Sequence, residues 1–446
     1  MLRNLLKHLL KNQRLTSYLR AIYVESQADV KQSSDIQPSF SGIPEIGALT
    51  ARESQFKPFR LNLIVPALSS KHVFGGIATA LKLFEELGKK HENLRIILTD
   101  EARFTTEDNI NYKEWSILTL EAHDRPGKCV VPAADRYGKT LSVGQNDYFI
   151  ATAWWTSILA KSLQSKQAEM YELNNARRFI YLIQDFEPGF YPWSSRYALA
   201  ESTYKNTSGL VAVFNTSTLK DFFEQAGFNF QKSYCFEPVL HEDLKPYLDR
   251  VAATKRTKMV LVYGRPGTAR NAFELIVIAL KMWANKVSCT GWEFVSVGEM
   301  HNPIELGNGN ILKSMGKLSI EAYAEILLGS YAGISLMISP HPSYPPLEMA
   351  VFGLKVITNK YQSKDLSQFN DNITSLEYVA PELICDALIG LTNQFSATVQ
   401  TSSGAIPRTF LLDNPFKALS DKLISDLYAE AAEPQHAESG AATRQV

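Results

Sequence analysis

A chain of 446 residues is too long for one ordinary core, so two domains are expected. With 45% hydrophobic and 21% charged residues it reads as globular, and 46 basic against 46 acidic residues leave no global field for nucleic acid. Cys129, Cys235, Cys289 and Cys385 show neither CxxC nor Cys/His ligand spacing, so no disulfide framework or zinc site is expected and a reducing compartment fits. No apolar run approaches the ~18 residues of a membrane-spanning helix.

Leu2, Leu5, Leu6, Leu9 and Leu10 recur at helical spacing, with Arg3, Lys7, Lys11 and Arg14 between them. The cations interrupt any export-signal core. A basic amphipathic helix over residues 1–20 either touches an anionic membrane surface or docks its leucines on its own domain. Residues 26–55 are polar and read as a linker, closing a 1–55 segment.

An α/β domain is expected over 56–245. Its strands are Arg60–Pro66, Leu94–Leu98, Asp147–Thr152, Arg178–Ile183 and Gly209–Phe214. A helix running to about Lys90 opens at Gly75-Gly76, where paired glycines let backbone approach a ligand. Asn215-Thr216-Ser217 caps a helix ending near Ala226. Residues 236–257 are polar, with Pro238 and Pro246, and read as a hinge.

A second domain is expected over 246–432. Met259–Tyr263 is a strand with the exit loop Gly264–Asn271, followed by a helix to about Asn285. Trp292–Gly298 and Ile311–Met315 are strands, the latter ending in Gly316-Lys317, and Ser319 caps a helix from Ile320 to Leu328. Ile334–Ile338 reads as a buried strand and Ser339–Pro346 as a proline-rich turn. A short helix Leu347–Phe352, capped by Gly353, and the strand Lys355–Thr358 complete a βαβ unit. Helices follow near Ala380–Leu391 and from Pro415 to Ala431, and composition predicts disorder over 433–446. Strands alternating with helices give parallel, doubly wound sheets.

Ligand crevices of such sheets open at strand C-termini. Gly264-Arg265, Gly316-Lys317 and the Leu347 helix N-terminus together suit a diphosphate. Asp185 or Glu187, at the end of Arg178–Ile183, is placed to orient or deprotonate an acceptor hydroxyl, and Asp185 leaves the strand first. Trp154, Trp155, Phe190, Tyr191 and Trp193 offer faces for sugars or simply core. No DxD triplet or acidic cluster with metal-ligand spacing occurs, so neither metal nor cofactor is expected.

These residues resemble a GT-B glycosyltransferase, two Rossmann-like domains facing a central cleft. YGRPGTARN, SMGKLSIEAYAEILLGSYAGISLMIS and SPHPSYPPLEMAVFGLKVIT are similar to the nucleotide-sugar half of family 4. IQDFEPGFYPWSS, HVFGGIATAL and ATAWWTS resemble the WsaF-like bacterial rhamnosyltransferases. The resemblance implies that Arg265 and Lys317 hold the donor diphosphate and that Glu348 binds the ribose hydroxyls. It also places Gly75-Gly76 opposite the phosphates and Ser343 and Tyr344 in the donor loop. The family's first motif glutamate would fall at position 340, where this chain has Pro340, so retaining and inverting outcomes both stay open.

The implied activity is transfer of a sugar, L-rhamnose from dTDP-L-rhamnose, to a glycan or lipid-linked saccharide in surface-glycan assembly. It would take place in the cytoplasm, with peripheral membrane contact through residues 1–20. A nucleotide-sugar epimerase and a non-catalytic binding module at the membrane surface are the alternatives.

Overall fold

The computed structural model describes residues 42–68, 75–105, 110–287, 291–396 and 402–428. The expected helix over 1–20 and the tail from 433 lie outside the described residues. Residues up to Gly47 form a unit of their own, of which a 3₁₀ turn, Pro44–Ile46, is described. The unit from Ala48 onward holds both large sheets.

Its first half lays down β1 (Leu49–Glu53), β2 (Arg60–Val65), β3 (Leu94–Leu98), β4 (Ser116–Ile117), β5 (Lys128–Pro132), β6 (Lys139–Val143), β7 (Asp147–Ala151), β8 (Phe179–Ile183), β9 (Leu210–Asn215) and β10 (Lys232–Phe236). The helices are α1 (Gly75–Gly88), α2 (Trp154–Met170), α3 (Ser195–Lys205) and α4 (Ser217–Gln225). An eight-stranded parallel sheet runs β10-β9-β8-β7-β2-β3-β5-β4, and β1 pairs with β6 beside it. The central strands β2, β3, β7, β8 and β9 are buried at every residue, as a sheet covered on both faces requires. At the start of β2, Arg60 pairs with Asp147 and Asp124 at 2.6 Å each, a knot of mutually satisfied buried charges.

Several elements here differ from expectation. The polar segment read as linker contains β1, and the stretch between Leu98 and Asp147 contains β5 and β6. LTARE and KTLSV carry too few consecutive apolar residues to announce a strand; their pairing with each other stabilises both. Helix α3 is capped by Ser194, whose hydroxyl accepts from the Tyr197 amide.

The second half holds β11 (Met259–Gly264), β12 (Glu293–Gly298), β13 (Ile304–Gly307), β14 (Asn310–Ser314), β15 (Ala332–Ile334), β16 (Lys355–Asn359) and β17 (Ile373–Leu376). The helices are α5 (Phe273–Lys286), α6 (Ile320–Gly329), α7 (Pro345–Val351), α8 (Pro381–Asn393) and α9 (Ser420–Tyr428). The sheet order is β13-β14-β12-β11-β15-β16-β17, parallel except for β13 against β14. Chain order reverses beside β2 in one sheet and beside β11 in the other, and at such switch points the strand exits open a crevice.

Four boundaries moved. Strand β15 stops at Ile334; the Asn359 side chain then takes over the backbone of Met337, accepting from its N–H at 2.8 Å and donating to its carbonyl at 3.1 Å. Helix α7 starts inside the proline turn, because Pro345 and Pro346 occupy first-turn positions that need no N–H. The expected hinge carries a 3₁₀ helix, Glu242–Arg250, and Leu240, Leu244 and Val251 already pack in the core of the second half. The last helix begins at Ser420, not Pro415, and with Phe416 it returns Leu423 and Leu427 to the core of the first half.

Candidate functional site

The exits of β11, β12 and β14 are stitched together by backbone bonds. Glu299 N donates to Gly264 O at 3.0 Å and Gly298 N to Gly316 O at 2.9 Å. The Arg265 and Lys317 loops therefore stand two strands apart on one sheet edge. Gly264 owes its lack of a side chain to packing: a Cβ there would lie 2.4 Å from Ser296 Oγ and 2.7 Å from Phe273. Gly316 combines a φ of +63° with Met300 Cε 2.8 Å from where a Cβ would sit. Both glycines shape the loops from within.

Arg265, half-buried, hydrogen-bonds Tyr263, while Lys317 is exposed. Glu348 on α7 accepts from the Tyr323 hydroxyl at 3.0 Å. Burial pushes its carboxyl up to about 7, with the Tyr323 bond opposing. Tyr263 lies within electrostatic reach of Arg265, Glu348 and Arg270.

The expected anion site at the α7 N-terminus is not available. Helix α7 has seven residues, and Pro345 and Pro346 bring no N–H. The amides of Leu347 and Glu348 both donate to Tyr344 O at 3.0 Å, and that of Ser343 to His341 Nδ1 at 3.0 Å. Ser343 itself is buried with a φ of +68°, a backbone conformation that costs a non-glycine residue on the order of 1–3 kcal/mol. Tyr344 instead approaches Asn215 and Thr79 of the first half.

Asp185 and Glu187 part company. Glu187 turns into the first core, accepting from Trp154 N at 2.8 Å and from the Tyr181 hydroxyl at 3.0 Å, and burial raises it to about 8. Asp185 faces the second sheet. Its Oδ1 accepts from the Ser339 hydroxyl, and its Oδ2 lies 3.6 Å from Arg270 Nε. Gly76 sits against the neighbouring Gln184, where a Cβ would come within 3.3 Å of Oε1, whereas Gly75 meets open space.

Three cleft residues escaped the sequence reading. Arg270, five positions after Arg265, stacks its guanidinium 4.4 Å from the Phe190 ring centroid, and its Nε has no hydrogen-bond partner. His341, buried and pulled down to about 4, is neutral, and the Ser343 bond makes its Nδ1 the acceptor. Lys364 is 0% exposed, donates to Met337 O at 2.5 Å and is pulled by burial to about 7, with Asp185 opposing. Arg270 was visible in YGRPGTARN as a second cation on one loop; nothing in KYQSKDLS marks Lys364 as buried. Among the described residues no cluster of three His, Cys, Asp or Glu could hold a metal ion, and no helix is long and apolar enough to cross a membrane.

Residues 60–217 match the model of the WsaF N-terminal domain, and residues 258–389 that of the WsaF C-terminal domain. The O-antigen biosynthesis protein RfbC of Myxococcus xanthus is 28% identical over 313 residues, 70% of this chain. The chain spans about a fifth of that relative, 22% of its length. Among solved structures, a mutant of S. aureus TarM in complex with fondaparinux, α-GlcNAc-glycerol and UDP aligns with a TM-score of 0.52 at 9% identity, covering 83% of this chain and 99% of that one. The E. coli trehalose-6-phosphate structure bound with UDP-2-fluoro glucose gives 0.51 at 10%, covering 82% and 98%. Likeness at such identities is one of fold.

Proposed function

Because the chain belongs to the WsaF-like GT-B glycosyltransferases, we propose that it moves L-rhamnose from dTDP-L-rhamnose to a glycan or lipid-linked saccharide in bacterial surface-glycan assembly. The observation carrying this reading is the pairing of two half-sites. At the exits of one sheet Tyr263 lies within electrostatic reach of Arg265, Arg270 and Glu348, and Asp185 approaches Arg270 from the other. The cations suit a diphosphate, and the Glu348 carboxylate suits the 3′-hydroxyl of the donor's deoxyribose. The UDP bound by TarM and the UDP-2-fluoro glucose bound by the E. coli structure support a nucleotide-sugar donor, and the O-antigen role of RfbC supports a surface glycan.

In the proposed reaction Asp185 leaves Ser339 and takes the proton of the acceptor hydroxyl. That oxygen bonds the sugar anomeric carbon as its bond to the diphosphate breaks. Arg265, Arg270 and Lys317 stabilise the departing dTDP in the place of a metal ion, and domain closure excludes water. The reaction takes place in the cytoplasm, with residues 1–20 making the proposed membrane contact.

A thermal-shift screen over nucleoside diphosphates and their sugars tests the donor assignment. Stabilisation by dTDP and dTDP-L-rhamnose, followed by dTDP release only when a saccharide acceptor is present, is expected. Release without any acceptor, or no response to any nucleotide, would refute it.

A further inference from the structure

Trp193 is the most exposed large apolar side chain among the described residues, at 92%. It is nonetheless held in place. Ser194, immediately after it, caps α3, and the indole lies parallel to the Tyr197 ring, with centroids 5.4 Å apart and planes 8° apart. One indole face is therefore fixed against Tyr197 and the other is open to solvent. A local contact across a helix start accounts for the stacking, as a hydrophobic staple does, but a leucine would serve that purpose with less apolar surface exposed.

The position of the pair points to a ligand. Phe190, 41% exposed, lies three residues before Trp193 and stacks on Arg270, which approaches Asp185. On the facing domain Tyr361, half-exposed, lies within electrostatic reach of both Asp185 and Tyr197. Its turn is tied by reciprocal bonds between Tyr361 and Lys364 and bridged to the first domain by Ser363 Oγ donating to Thr218 O at 2.9 Å. Phe190 and the Trp193–Tyr197 pair thus follow along the chain from the carboxylate proposed to face the acceptor.

We infer that the open face of Trp193, with Tyr197 behind it, is a subsite for a pyranose ring of the acceptor saccharide, one or more units away from the unit that is glycosylated. This rests on the proposed glycosyl transfer. The C–H face of a pyranose is apolar while its rim carries hydroxyls, so a flat, rigid, amphipathic indole suits it, with little conformational entropy lost on binding. Position along the chain, not charge, makes the occupant a saccharide unit attached to the reacting one. An acceptor with a second and third sugar therefore binds more tightly than a monosaccharide.

The test uses the full chain and Trp193→Ala and Trp193→Phe variants, titrated calorimetrically with rhamno-, manno- and gluco-oligosaccharides of increasing length. Wild type should gain affinity with length in at least one series. Trp193→Ala should lose about tenfold on the longer members, and Trp193→Phe should keep most of the gain. Equal titrations of wild type and Trp193→Ala, or no binding of any oligosaccharide by wild type, overturn the subsite. A parallel titration with dTDP separates the two ideas. Lost nucleotide binding in wild type counts against the donor reading, whereas intact dTDP binding with a Trp193-independent oligosaccharide response counts against the subsite alone.

Discussion

The hydroxyl of Ser339, on the loop leaving β15, is hydrogen-bonded to Oδ1 of Asp185, on the loop leaving β8. This contact joins the two sheets at the point where their strand exits face each other. Asp185 also meets Arg270 through its other oxygen, so the carboxylate has partners from the second domain on both sides.

That arrangement makes Asp185 the group to test first. Asp185→Asn keeps an acceptor for Ser339 but removes the base. Turnover should fall by about 10²-fold or more while dTDP affinity is retained. Ser339→Ala leaves the base in place and should cost far less. Full activity in Asp185→Asn, measured as dTDP release with acceptor present, would place the base elsewhere.

The two expected diphosphate cations differ in setting, and the size of their effects should differ with it. Arg265 is half-buried, and a cation about 4 Å from a phosphate oxygen contributes roughly 4 kcal/mol at an effective dielectric near 20 but about 1 kcal/mol in water. Lys317 is exposed. Arg265→Ala should therefore lower turnover by at least about 10²-fold, and Lys317→Ala by about tenfold. Steady-state rates decide this, and the reverse ranking would show that Lys317 becomes the enclosed cation on closure.

Glu348 predicts a pH dependence of donor binding. Burial raises its carboxyl from 4.5 to about 7, so in the empty site it is largely neutral below that pH and ionised above it. The 3′-hydroxyl of the donor's deoxyribose donates best to the ionised form. Affinity for a dTDP-sugar, whose diphosphate does not titrate near neutrality, should rise between about pH 6 and about pH 8, with proton release on binding at neutral pH. Glu348→Ala should bind about tenfold more weakly with a flat profile. A sloping profile in that variant, read by calorimetry in buffers of different ionisation heat, would assign the titration to another group.

Glu187 predicts a pH dependence of stability. Its carboxyl is raised from 4.5 to about 8, so the folded chain keeps a proton that the unfolded chain releases. With more protons bound in the folded state, stability falls as pH rises from about 4.5 to about 8. Glu187→Gln should flatten that slope in urea titrations. Glu187→Ala should cost roughly 2–4 kcal/mol near pH 4.5, because it leaves Trp154 N and the Tyr181 hydroxyl without their buried partner, and less as pH rises towards about 8 and the wild-type advantage is lost.

Much of the scaffold was legible in the chain because it is local. The runs RLNLIV, DYFIA, FIYLI and LVAVFN are continuous apolar segments, and only a sheet covered on both faces accommodates them. The same locality exposed the arginine and lysine loops, Glu348, and the motifs that carried the family resemblance. Strands β1 and β6 were not legible, since each is polar enough to pass for loop until the other lies beside it.

The cleft was decided by tertiary structure. Asp185 and Glu187 are two residues apart and chemically alike, yet one turns into its own core and the other to the facing domain, which depends on where Trp154 and Ser339 come to lie. Sequence alone offered the α7 N-terminus as an anion site; Tyr344 O takes the amides that were to bind the anion. Lys364 is an ordinary polar-loop lysine until the fold buries it with its ammonium on the Met337 carbonyl. Apolar periodicity determines which segments pair into sheets. Partners drawn from distant segments determine which polar groups are buried, neutral or aimed at a substrate, and no local pattern encodes them.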